Sequence, residues 1–340
     1  MGPIEVVNFV KTAIFAHWPE GMQNEKRIGQ FFEIKLGQDR WLTFSPLASH
    51  SHFSASMMNN IMKTLFKQGW INIGAIKIGK NQADLNALYF RFDREIRDLY
   101  VSGLESKFCA ISLNENDKIR LVNAPLEIAN AVRLAIEANW SKGIDKEKIQ
   151  HDAHEFEFTL KGSPFWCHGT DTVESRKIIS GILKNLNDQS WSLYSTCLLS
   201  TSLSSKSVFF FQTSPYTNLQ KCKVVCVSLN ESDKLRVING NSYNFMAVNN
   251  AIEFFLRNGV VKQNYYGSSW QFKLKRNLLR GSYADLNKTA AIIMSIIFHL
   301  KKVHCTLICS AFVSGKYSIS DDDKCTCTQS LSSFYFSTNV

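Results

Sequence analysis

The stretch "SLNENDKIRLVN", Ser112 to Asn123, returns as "SLNESDKLRVIN", Ser228 to Asn239. Eight of the twelve positions are identical, and three of the other four exchange one branched apolar residue for another. A phrase written twice, 116 residues apart, marks a duplicated unit. The rest of that unit reads outward from it.

Downstream of the phrase, Ile128, Val132, Ala135, Ile136 and Trp140 have the spacing of an amphipathic helix. The same stripe stands earlier as Val6, Val10, Ala13, Ile14 and Trp18, and later as Asn244, Val248, Ala251, Ile252 and Leu256. A glycine follows each helix, at Gly21, Gly143 and Gly259, where a helix end favours a left-handed residue. A strand comes next. Phe156, Phe158 and Leu160 alternate with polar residues, as do Phe32, Ile34 and Leu36, and Trp270, Phe272 and Leu274. One apolar face means a sheet covered on one side. A second helix is read from Ile178, Ile179, Ile182, Leu183 and Leu186. Its counterparts are Met57, Met58, Ile61, Met62 and Leu65, then Ile292, Ile293, Ile296, Ile297 and Leu300. Asp171 and Glu174 have capping-box spacing ahead of it. Each unit then ends in strands, closing with "LYFRF", "VFFFQ" or "FYFST".

The expectation is an α+β protein of three tandem two-layer copies, each ordered helix, strand, helix, strands, with two helices on one face of a mixed sheet. Copy one spans 1–100 and lacks the first strand pair, copy two spans 101–216 and is complete, and copy three spans 217–340 and is divergent and basic. "DREIRDLYVSGLESK" and "TSPYTNLQK" read as linkers. A unit this long is expected to close its own core.

The block "FEFTLKGSPFW" in copy two, with "FEIKLGQDRW" in copy one and a poor match in copy three, resembles a repeat of uncharacterised eukaryotic proteins. In those proteins F-x-L-K-G-x-P-W recurs once per domain. The resemblance implies duplication and carries no activity, substrate or partner.

Composition narrows the class. Hydrophobic residues make up 45% and charged residues 20%, ordinary for a folded chain. No apolar run reaches membrane-span length, and the first residues lack the pattern of a secretory signal. Pro3 argues against myristoylation at Gly2. Nine cysteines without framework spacing suit reduced thiols, so the expected location is cytoplasmic, with nuclear as the alternative.

Net charge is +10 and uneven: +2 over residues 1–106, zero over 107–216, and +8 over 217–340. The excess concentrates at Lys273, Lys275, Arg276 and Arg280, where the aligned strand of copy two offers Glu155 and Glu157. Lys118 with Arg120, and Lys234 with Arg236, form a second set of anion-binding candidates inside the repeated phrase. Its alternation instead turns basic residues to solvent beside an Asn/Asp turn. Such patches attract phosphates of nucleic acid or lipid, and Tyr265 and Tyr266 could stack on bases.

Cys167 beside His168, with His151 and His154 nearby, suggests a thiol nucleophile, although neighbours on a turn point apart. His299, His304, Cys305, Cys309, Cys325 and Cys327 lack the two close ligand pairs of a structural zinc site. Asp321 to Asp323 lack calcium-loop spacing, and no phosphate-loop, dinucleotide, nucleophile-elbow or zincin motif occurs. The reading is a non-enzymatic interaction protein, without cofactor or metal, that meets a protein partner. The first alternative is nucleic acid or an acidic membrane bound through copy three, and the second is a divergent enzyme built on Cys167 and His168.

Overall fold

The computed structural model describes residues 4–18, 20–29, 31–37, 50–77, 86–103, 105–150, 154–199, 206–213, 221–275, 283–314, 316–319, 325–328 and 332–339. Copy one comprises α1 (Ile4–His17), β1 (Met22–Ile28), β2 (Phe31–Leu36), α2 (His50–Lys67), β3 (Trp70–Lys77) and β4 (Asn86–Phe92), followed by α3 (Arg94–Val101). Copy two comprises β5 (Phe108–Asn114), β6 (Lys118–Val122), α4 (Leu126–Asn139), β7 (Ile144–Gln150), β8 (Glu155–Leu160), α5 (Asp171–Asp188), β9 (Trp191–Cys197) and β10 (Val208–Thr213). Copy three comprises β11 (Cys222–Asn230), β12 (Lys234–Ile238), α6 (Ser242–Phe255), β13 (Val260–Tyr266), β14 (Ser269–Leu274), α7 (Tyr283–Lys302), β15 (Cys305–Ala311), a small β16 (Lys316–Ile319) and β17 (Cys325–Thr328) hairpin, and β18 (Ser333–Asn339).

Copies two and three share one sheet order, β7-β8-β6-β5-β10-β9 and β13-β14-β12-β11-β18-β15. The two-layer α+β unit is therefore as the sequence indicates, but the sheet is not mixed: each described pairing is antiparallel. The reason lies in the crossovers. α4 and α5 each join strands that run the same way, and each passes over an odd number of strands, β8 alone for α4 and β6, β5 and β10 for α5, so neighbours alternate in sense across the sheet.

The duplicated phrase is a hairpin whose retained residues do the same job twice. Asn114 Nδ2 donates to Ser112 Oγ at 2.7 Å, and Asn230 Nδ2 to Ser228 Oγ at 2.8 Å. Glu115 and Glu231 take left-handed backbone at the turn, and Lys118 and Lys234 pair with them at 2.7 and 2.6 Å. Asn123 and Asn239 are also left-handed, at φ 55° and 60°. After the first helix Gly21 and Gly143 are left-handed as expected, whereas in copy three Asn258 takes that conformation one residue before Gly259.

The helix stripe of copy two is buried throughout, and Trp140 donates its indole N–H to Lys161 O at 2.9 Å. Asp171 and Glu174 do not cap α5. Asp171 pairs with Lys142, and Glu174 accepts from the backbone and hydroxyl of Ser141, so they fasten α5 to the turn after α4. Phe165, inside a single 3-10 turn (Pro164–Trp166), fills the core, and Trp166 beside it is half-buried.

Copies one and three each hold a cluster of their own, and two further clusters span the junctions between copies. On α2, Met57, Ile61 and Leu65 face the helices and strands of copy one. One stripe over, Ala55, Met62 and Phe66 pack on Phe108, Ala110, Val122 and Phe210, the outer face of copy two's sheet. At the next junction, the α4–α5 core merges with Cys222, Val224, Cys226 and Ile238 of copy three. Arg176 Nη2 donates to Ser314 Oγ at 2.9 Å there, and Arg236 Nη1 donates to Thr172 Oγ1 at 2.7 Å. Layers thus alternate: the strand ladders of copy one, helices, sheet, helices, sheet, helices. The central strands β5 and β11 are buried on both faces, not one.

Copy one departs from its siblings. Its described strands form two separate ladders, β1–β2 and β3–β4, and among the described residues no counterpart of β5–β6 lies between them. Phe32, Ile34 and Leu36 are consequently half-buried, while Phe156, Phe158 and Leu160 are fully buried. Because Trp140 is fully enclosed, Trp140→Ala is expected to destabilise the protein by about 3–5 kcal/mol in denaturant titration. Trp140→Phe should lose far less, mainly the indole hydrogen bond.

Candidate anion-binding cleft

The basic residues of the repeated phrase do not form solvent-facing clamps. Arg120 is 8% exposed and donates through Nε to Glu157 at 2.5 Å. Arg236 is 3% exposed, donates to Gln271 Oε1 at 2.9 Å and lies over the Tyr266 ring. Both arginines stand on sheet faces that the preceding copy's helices cover, so alternation turns them toward a neighbour and not toward water. Burial pushes the Glu157 carboxyl up, but Arg120 and Lys148 outweigh it and hold the group below its usual range.

Strand register also corrects the charge comparison between copies. Arg120 lies opposite Glu157 and Arg236 opposite Gln271, while Lys118 faces Thr159 and Lys234 faces Lys273. Glu155 and Glu157 therefore correspond to Ser269 and Gln271, and Lys273 corresponds to Thr159. Copy three has lost carboxylates and gained a lysine, without a direct reversal at one position. Lys273 and Lys275 are exposed; Arg276 and Arg280 lie outside the described residues.

Cys167 and His168 do not make a dyad. The thiol is buried and donates to Pro164 O at 3.0 Å, while His168 is exposed. Burial pushes the Cys167 thiol above its usual value, the opposite of what an activated nucleophile needs. His151 and Asp321 to Asp323 lie outside the described residues, as do the side chains of Cys325 and Cys327. Among the described residues, no trio of His, Cys, Asp or Glu stands close enough to hold a metal ion. Cys305 and Cys309 are buried free thiols on β15.

The structure brings together a set that sequence spacing did not suggest. A cleft of about 1060 Å³ opens where α1, α2 and α3 meet the base of copy two's sheet. Lys63 and Lys67, one turn apart on α2, project into it with Arg97 of α3, Lys107 just before β5, His17 and His154. Glu105 is the one carboxylate in the lining, and no carboxylate among the described residues pairs with any of the four cations.

Local chemistry fixes the wall. Asp93 caps α3 by accepting from the backbone of Glu95 and Ile96, at 3.1 and 3.3 Å. Ile96 and Tyr100, four residues apart, pin that helix to the cluster around Phe66, and Tyr100 meets Phe66 edge-on at 5.7 Å. Arg97 is left facing the cleft. Asn59, fully buried in the floor, donates to Phe108 O at 3.3 Å while its Oδ1 has no partner. Burial first, then the charge of Lys63, lowers the pKa of His17 below its usual value.

Geometry and repeat together define the class: a tandem α+β repeat protein with a basic cleft at its first junction. A single domain-family model matches three times in tandem, over residues 2–91, 107–212 and 223–328. The chain belongs to that domain family and carries three copies of the domain. No curated protein and no solved structure matches it. No helix among the described residues is long and apolar enough to cross a membrane.

A thiol-specific reagent at neutral pH is expected to modify Cys167 far more slowly in the folded protein than in urea, with peptide mapping as the readout. Fast, selective modification in the folded state would contradict the buried placement.

Proposed function

We propose that the chain is a non-enzymatic binding protein that takes a phosphate-bearing ligand in the cleft between copies one and two. The observation that carries this is the charge imbalance: four cations without carboxylate partners among the described residues, around a cavity lined by a single acid. Such a cavity focuses positive potential, and phosphate oxygens satisfy lysine and the arginine fork together. Its volume lies at the size of small-ligand pockets.

Absence of catalysis is supported by how the polar groups are used. The Tyr100 hydroxyl accepts from Ser106 N at 3.0 Å, and Ser106 Oγ donates to Thr213 O at 3.0 Å, so neither hydroxyl is poised for attack. Seven described cysteines are free and buried, which fits a reducing compartment such as the cytosol or nucleus.

A second reading, anion binding on copy three, draws on strand register. Lys273 lies opposite Lys234 on one side and Lys262 on the other. Like charges in adjacent strands repel, and a bridging phosphate backbone would relieve them.

Isothermal titration with inorganic pyrophosphate tests both readings. Lys63→Gln and Arg97→Gln are each expected to weaken binding by roughly 10-fold, the worth of one charge-assisted hydrogen bond. Lys273→Gln should leave it unchanged; the reverse pattern would move the site to copy three, and no binding at all would remove both. Bound anion raises the depressed pKa of His17, so the complex takes up a proton. Affinity should therefore rise as pH falls from 8 to 6, and His17→Asn should flatten that slope.

A further inference from the structure

The three copies act as internal controls for one another, and one surface fails the comparison. On the outward side of the helix layer, four scaffold positions carry Ala16, His17, Asn59 and Lys63 in copy one and Ala138, Asn139, Ser180 and Lys184 in copy two. Copy three has Phe254, Phe255, Met294 and Phe298 at the same places. The fold does without large apolar groups there in two copies, so packing of the unit does not require them in the third. They are not hidden: Phe254 is 74% exposed, Met294 66% and Phe298 56%. They form one patch, since Phe254 meets Phe255 at 5.1 Å and both Phe254 and Phe298 touch the His299 ring. Ile293 and Ile297, whose counterparts Ile179 and Leu183 are buried beside the next sheet, stay half-exposed.

Cations predominate around the patch among the described residues. Lys288, Lys301 and Lys302 lie on α7, with Arg257 and Lys275 at the end of α6. Among described side chains of α6 and α7 the one carboxylate is Glu253, which is turned back to accept from Asn258 N at 2.9 Å. Lys302 lays its ammonium 4.4 Å from the Phe298 ring centroid, with its alkyl stem along the apolar surface.

We infer that the helix face of copy three docks on an anionic lipid membrane. Exposed phenylalanine and methionine side chains enter the headgroup boundary, and flanking lysines and Arg257 meet lipid phosphates and carboxylates. A second copy of the chain is a poorer occupant, because its two complete six-stranded sheets already have their outer faces covered by α2 and α5. Nucleic acid would use the cations but gains little from Met294. This surface is separate from the cleft of copies one and two and does not depend on its ligand.

The test is co-sedimentation of the full chain with phosphatidylcholine vesicles, with and without 30% phosphatidylserine (~30%, a conventional anionic content). Binding is expected to the anionic vesicles alone, weakened by salt. The Phe254→Ser/Phe298→Ser double variant should bind at least about tenfold less, as loss of two buried rings demands, with an unchanged circular dichroism spectrum. Phe298→Trp should shift its emission to the blue on anionic vesicles. Three results would overturn the inference: no pelleting with anionic vesicles, pelleting indifferent to the double variant, or a lipid-independent dimer in sedimentation velocity that the double variant abolishes. Retention on RNA with no blue shift on vesicles would assign the face to nucleic acid instead.

Discussion

Everything in this molecule follows from a helix that must satisfy two sheets at once. α2 divides its apolar residues between two stripes, Met57, Ile61 and Leu65 for its own strands and Ala55, Met62 and Phe66 for the sheet of the next copy. α5 repeats the arrangement against β11 and β12. A layer shared in this way fixes the order and spacing of the copies without a covalent device. It also dictates the fate of polar residues on the covered sheet faces. Arg120 and Arg236 are retained in both copies because each is enclosed by protein partners, and removing such a group strands its neighbours.

The same constraint decides where the surface is free to change. A position on the outward side of the helix layer is enclosed at an internal junction and open at the end of the stack. In copy one those positions supply His17, Asn59 and Lys63 to a basic cleft. In copy three they hold an aromatic patch. Duplication has thus given one scaffold location two chemistries, and neighbouring layers determine which of them meets solvent.

Much of this was legible in the sequence. Helical spacing at Ile128, Val132, Ala135 and Ile136 gave the buried stripe. Sharing of layers was missed, although unbroken apolar runs such as "FCAI" and "VFFF" carry that signal: a strand covered on one face alternates, and these do not. The linker reading of "DREIRDLY" overlooked α3, whose Asp93 cap and Ile96/Tyr100 spacing were visible. The cleft had no comparable signature. Its cations come from α2, α3 and the segment before β5, and proximity of that kind is a property of the layers and not of spacing.

Lys63 and Lys67 project from the helix that rests on the two ladders of copy one, where Phe32 and Ile34 are only partly buried. Hydrogen exchange and local opening concentrate at such thinly packed ends. A ligand in the proposed cleft would touch both α2 and the sheet of copy two, so its binding would be linked to local order there.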